Sequence, residues 1–122
     1  MSLIKLQVKT SSQKYPKDIG YDKILKKLKK YTTVVKYAVN KTPTEGAKTD
    51  PAHPAIYPTG DVKKIPDRNK KLYDLIVKRF ISCFCADAVV SNKKVTVDVS
   101  GLKFGAKGVK IEDKGWMQVY PS

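Results

Sequence analysis

Histidine occurs once in these 122 residues, at His53, cysteine twice, at Cys83 and Cys85, and arginine twice, at Arg68 and Arg79. Each shortage excludes something. One imidazole and two thiols do not supply the spacing of a structural zinc site. Two residues apart in an apolar run of helical character, the cysteines point to different sides, so neither a disulfide nor a shared metal site is natural there. They read as buried free thiols in a reducing, intracellular compartment. Apolar runs are short too, and none approaches the roughly 18 residues of a membrane span. Met1-Ser2-Leu3 leads straight into a mixed apolar and lysine pattern, which is not that of a signal peptide.

Carboxylates are the other shortage. Eleven Asp and Glu stand against twenty-five Lys and Arg, giving a formal net charge of +14 and a pI near 9.8. An anionic partner is therefore expected, nucleic acid first and an acidic membrane surface second. Because nearly all the cations are lysine, point-charge contacts to phosphate are favoured over bidentate reading of guanine edges, and base specificity should be weak. The few carboxylates are scattered, and Glu112-Asp113 sits where a hairpin turn is expected. No Gly-rich phosphate loop or paired-carboxylate site is present, so a self-contained enzyme is not indicated.

The length suits one domain or two subdomains that lean on each other. Ile4, Leu6 and Val8 alternate with polar residues as in a short strand, which stops at the hydroxyl cluster Thr10-Ser11-Ser12. A helix is predicted from about Lys17 to Tyr31, with Tyr21, Ile24, Leu25, Leu28 and Tyr31 on its apolar stripe. Lys23, Lys26, Lys27 and Lys30 share the opposite face. Four ammoniums in line can follow a phosphate backbone, although a solvated helix face gives the same pattern. A weaker helix over Thr33 to Asn40 precedes a long loop, Lys41 to Ile65, of the length that is usually functional or mobile. Pro66-Asp67 opens the strongest helix, to about Cys85, with Leu72, Ile76, Phe80 and Phe84 inward and Arg68, Lys71 and Lys78 off that stripe. Strands follow at Val95–Val99, Leu102–Ile111 and Trp116–Tyr120, separated by Ser100-Gly101 and Asp113-Lys114-Gly115. The fold class is α+β: a helical lobe of two or three helices with a long Pro-rich loop, residues 1–86, then a small antiparallel β meander, residues 87–122.

The long loop holds the only histidine. In Thr49-Asp50-Pro51-Ala52-His53-Pro54-Ala55-Ile56-Tyr57-Pro58-Thr59-Gly60 the prolines forbid a continuous helix, and Pro54 biases His53 toward extended backbone. On composition alone, an ordinary surface histidine ranks ahead of a catalytic one.

That ranking changes with the pattern as a whole. The run Pro51 to Gly60, followed about a dozen residues later by Leu72-Tyr73-Asp74-Leu75-Ile76-Val77-Lys78-Arg79-Phe80, resembles type IA DNA topoisomerases, especially their archaeal branch. Further blocks agree in order: Lys9-Thr10-Ser11-Ser12-Gln13-Lys14-Tyr15-Pro16, then Val95 to Val99, then Phe104-Gly105-Ala106-Lys107-Gly108, then Gly115 to Pro121. Enzymes of that family cut one DNA strand with a tyrosine hydroxyl, hold the 5′ end covalently, pass the other strand and reseal. The resemblance implies a piece of such an enzyme, the helical lobe around its nucleophile with a β segment of the neighbouring gate domain. DNA, preferably single-stranded, and the remaining domains of the parent would be its partners, with no membrane and a cytoplasmic location.

By the same resemblance His53 matches the family histidine near the scissile phosphate, a task its ordinary pKa of about 6.5 suits. Lys9 takes the place of the family's arginine, and Gln7 stands where its nucleophilic tyrosine is expected. Either the first eight residues are altered or foreign, or the parent is a divergent, inactive copy; in both cases the isolated chain should bind DNA without cleaving it. Thr10, Ser12 and Lys14 join the DNA contacts, as do the lysines of the first helix, and Tyr57 is a candidate to stack on an unpaired base or to pack on the prolines. Turn and cap chemistry explains the hydroxyls equally well. The resemblance implies no cofactor in this chain itself and magnesium for the parent, through an acidic domain expected outside this chain. The alternative from another class is a small non-enzymatic basic nucleic-acid-binding protein. An amphipathic membrane-surface protein fits less well, because the lysine-rich helix has only a narrow apolar stripe.

Overall fold

Alternation of apolar and polar residues at the start of the chain makes β1 (Ser2–Leu6), an edge strand antiparallel to β2 (Ala88–Val99). A computed structural model describes residues 2–10, 12–61 and 65–120; Ser11, residues 62–64 of the long loop and Pro121 of the terminal motif lie outside the described residues. β2 pairs in turn with β3 (Leu102–Asp113), so the sheet order is β1-β2-β3 with a bulge between Val89 and Val90. Ser100 and Gly101 both have positive φ, 51° and 86°, the pattern of a type I′ hairpin turn, which suits strand twist. The Asp98 carboxylate accepts from the Gly101 N–H at 3.0 Å and closes that turn.

The α+β class holds: among the described residues there are two α-helices, α1 (Tyr21–Tyr31) and α2 (Asp67–Ser82), and a short 3₁₀ segment at Thr33–Tyr37. Boundaries differ from the sequence expectation for local reasons. α1 starts at Tyr21 instead of Lys17, because Asp18 and Gly20 adopt left-handed φ of 57° and 78° and break any earlier turn. The stretch after Thr32 tightens into 3₁₀ and stops at Tyr37, short of Asn40. α2 stops at Ser82 because the next N–H groups of Phe84 and Cys85 bond three residues back, to Ile81 and Ser82.

The core forms where α2 meets α1 and the chain that precedes it. Val77, Phe80, Ile81 and Phe84 are fully buried from α2 and its C-terminal turn, with Leu28 from α1. Phe80 lies 5.1 Å from Phe84 and 5.5 Å from Tyr15, ring centre to ring centre, and Tyr21 lies 5.5 Å from Phe84. Leu72, expected inward, is 60% exposed, because the buried stripe of α2 is rotated toward Val77 and Ile81. Val8, expected at the end of the first strand, instead packs into this helical core.

The third strand of the expected meander is absent at Trp116–Tyr120, where the chain forms a 3₁₀ turn, Gly115–Gln118, and buries Trp116 and Val119. Two bonds divert it. The Trp116 N–H donates to the Ala86 carbonyl at 3.1 Å, and its indole Nε1–H donates to the Leu6 carbonyl at 3.0 Å. β1 therefore supplies the third strand. Gly115 makes the crossing possible: its φ is 47°, and a Cβ there would strike the carbonyl oxygens of Asp87 and Ala86, 2.5 Å from the latter. Gly115→Ala is expected to destabilise the chain by about 1–3 kcal/mol through backbone strain, read as a lowered urea midpoint.

Beyond Asn92 the β2–β3 ribbon carries residues exposed on both faces. Val95, Val97 and Val99, opposite Ala106, Phe104 and Leu102, make one face apolar, while Lys94, Thr96, Asp98, Lys103 and Lys107 make the other polar.

Candidate nucleic-acid interface

Leu6 to Thr10 and Ser12 to Lys14 are pinned along their backbone, and their side chains divide between anchoring and display. The Leu6 carbonyl is held by Trp116, and the Lys9 carbonyl accepts from Arg79 Nη2 at 2.7 Å. The Thr10 N–H donates to the Thr44 carbonyl at 3.1 Å. Between these anchors Gln7 and Lys9 are exposed, as are Ser12 and Lys14 further on. Thr10 is placed differently, at 4% exposed: its hydroxyl donates to the Gln13 carbonyl at 2.7 Å and accepts from the Gly46 N–H at 2.8 Å. Its hydroxyl therefore ties the segment to the long loop.

The long loop runs alongside that segment. Gln13 forms a parallel bridge with Lys48; the Lys14 N–H donates to the Lys48 carbonyl at 2.8 Å, and the Ala55 N–H donates to the Lys14 carbonyl at 3.0 Å. His53, two residues before Ala55, is thus held next to the strip that carries Lys9 and Lys14. Its side chain is 82% exposed, and its Nδ1 lies 3.1 Å from Asp50 Oδ2. The loop is more than a display, since Ala55, Pro58 and Gly60 are buried. A cleft of about 440 Å³ opens between Pro54 and Ile56 of the loop and Leu75 and Arg79 of α2.

Tyr57 is half-buried, and its ring meets Tyr15 edge-on at 6.2 Å. Tyr15, the first tyrosine after the strip, is buried at the centre of the aromatic cluster; its hydroxyl faces Cys83 Sγ at 3.9 Å, and its N–H donates to Glu45 Oε2 at 2.8 Å. Burial, reinforced by Cys83, pushes its phenol well above the ordinary tyrosine range, so it is not an activated nucleophile.

Lys23, Lys26, Lys27 and Lys30 are all exposed on α1, within about 100° of helix circumference. They are not equivalent. The Lys27 stem covers Gly60, whose added Cβ would come within 2.7 Å of Lys27 Cβ, and its ammonium is 3.6 Å from Asp61. Lys27 so joins the helix to the end of the His53 loop.

Among the described residues no group of three or more His, Cys, Asp or Glu is placed so that it could hold a metal ion. Cys83 and Cys85 are free and buried. Burial raises both thiols, and Cys85, also beside Cys83, is pushed up from 9.0 to about 11. The unfolded chain releases these protons near pH 9 while the folded chain keeps them, so stability present below that pH is lost progressively as pH rises toward 11. The melting temperature is expected to fall between about pH 9 and 11, and the thiolate of Cys85 to be about 10²-fold scarcer than in urea at pH 8, seen as slow reaction with a disulfide reagent. A constant melting temperature with fast native labelling would contradict this.

Sequence reasoning did not single out Asp50, Glu45, Arg79 or Trp116 as supports. Their partners lie 3, 30, 70 and 110 residues away, and only the Asp50-Pro51 turn signature was readable locally.

A family described as DNA topoisomerase matches residues 8–122. DNA topoisomerase 1 of Methanothermobacter thermautotrophicus is 42% identical over 118 residues, covering 93% of this chain and 16% of that protein. DNA topoisomerase 1 of Pyrococcus horikoshii is 40% identical over 121 residues, covering 92% of this chain and 18% of that protein. DNA topoisomerase 3 of Dictyostelium discoideum is 35% identical over 79 residues, covering 65% of this chain and 10% of that protein. The chain belongs to the DNA topoisomerase family. It spans less than a fifth of the length of these relatives.

Proposed function

We propose that this chain is part of a type IA DNA topoisomerase, which cuts, passes and reseals one DNA strand, and that it supplies part of the surface holding the cut strand. One observation carries this reading: the loop with His53 is hydrogen-bonded, through Ala55, to the strip that presents Lys9 and Lys14. An imidazole and two ammoniums on adjoining backbones suit phosphate oxygens, and the lysine face of α1, joined to the same loop through Lys27, continues the positive surface. Ser12 lies on the same strip, and Thr10 acts by holding it in place.

In this reading His53 contacts the scissile phosphate and Lys9 supplies a compact positive charge beside it. The isolated chain binds single-stranded DNA in preference to duplex, and it does not cleave it because Gln7 offers no ionisable hydroxyl. Magnesium, held elsewhere in the parent, would supply charge neutralisation at phosphate there. The parent acts in the cytoplasm. Its remaining domains cover the apolar face of the β2–β3 ribbon, which this chain leaves exposed.

Titrating the labelled chain with a short single-stranded oligonucleotide tests the reading by NMR. Shifts concentrated at Lys9, Lys14, His53 and the α1 lysines are expected, and His53→Ala should remove those around the loop. A small non-enzymatic basic binder would instead show shifts spread over all lysine-bearing surfaces, indifferent to His53.

A further inference from the structure

We propose that Asp50 is the positioning residue of the His53 site: it holds the imidazole in the Nδ1–H form and turns Nε2 outward, toward the strand's phosphate. This rests on the reading of His53 as the phosphate-facing group, and it adds which nitrogen does the facing and what fixes it.

The geometry points to it through three bonds from one residue. The Asp50 carbonyl accepts from the His53 N–H at 3.1 Å, closing a four-residue turn with Pro51 in its second position, where a fixed φ favours such turns. Asp50 Oδ1 accepts from the Ala52 N–H at 3.0 Å, which orients the carboxylate plane. The other oxygen, Oδ2, then faces Nδ1 at 3.1 Å. An ionised carboxylate has acceptors only, so the nitrogen that faces it carries the hydrogen. Nε2 is left as the working atom of a ring that is 82% exposed. In the neutral ring it is a lone-pair acceptor for a hydroxyl proton; once the ring is protonated it becomes a donor to a phosphate oxygen, with the Asp50 carboxylate beside the new positive charge.

Asp50→Asn tests this in the chain as it stands, because asparagine forms the same turn. Its amide oxygen keeps the Ala52 bond, which leaves the amide N–H₂ facing Nδ1. A donor there moves the ring proton to Nε2. Imidazole ¹⁵N shifts, recorded where the ring is neutral, are expected to show Nδ1–H as the major form in the parent chain and Nε2–H in the variant, with the rest of the spectrum unchanged. The same major form in both, or Nε2–H in the parent chain, overturns the proposal. Adding a single-stranded oligonucleotide separates this from the underlying reading. The Nε2 resonance is expected to move in the parent chain. A tautomer that reverses with no Nε2 response to DNA overturns the DNA site, and the role of Asp50 in it, whereas an intact DNA response with no reversal overturns Asp50 alone.

Discussion

A chain carrying Lys23→Gln, Lys26→Gln and Lys30→Gln together is expected to bind single-stranded DNA about 10²-fold more weakly at about 0.1 M salt. Each phosphate neutralised on a single strand contributes about 0.7 to the log–log salt slope, a factor of about 5 between 0.1 M and 1 M. Three such contacts multiply to about 10², and the slope should fall by about 2. Lys27 is left in place because its stem packs on Gly60, so its removal would confound binding with loop disorder. The three lysines are exposed, opposite the buried Ile24 and Leu28, and glutamine keeps good helix propensity, so the fold should survive. Unchanged affinity and slope would mean that this is a solvated helix face.

Phe80→Ala should cost about 3–5 kcal/mol, a large fraction of the roughly 5–15 kcal/mol by which a folded domain is stable. Phe80 is 1% exposed and is the hub between Phe84 at 5.1 Å and Tyr15 at 5.5 Å. Through Tyr15, whose ring meets Tyr57 of the His53 loop at 6.2 Å, it also supports that loop. Urea unfolding followed by circular dichroism measures the loss. Phe80→Leu should recover a large part of it by filling the space. A loss below about 1 kcal/mol for the alanine variant would contradict the core as described.

The elements that could be read in the sequence were those with local causes. Two-residue alternation marked the hairpin around Ser100-Gly101, and three-and-four spacing marked α1 and α2. What escaped depends on contacts distant in sequence. Trp116 to Tyr120 looks like a strand by composition, yet Trp116 is drawn to Leu6 and Ala86, which turns the segment helical and leaves β1 to complete the sheet. The candidate site divides the same way. His53, Lys9 and the α1 lysines stood out by residue type and motif, whereas Arg79 under Lys9 and Glu45 under Tyr15 act through chain folding that no spacing rule encodes. The residue type of Thr10 suits a phosphate ligand, whereas its burial, which makes it an anchor, has no local signature in the sequence.

The central claim is that the strip and loop around Lys9, Lys14 and His53, with the α1 lysines, form a single-strand phosphate site. Fluorescence anisotropy of the unmodified chain with a labelled single-stranded oligonucleotide and its duplex, across a salt series, tests it most directly. Tighter binding to the single strand, with a slope corresponding to several contacts at about 0.7 each, is the predicted result. Absence of binding at low salt, or equal affinity for both DNA forms, would contradict it.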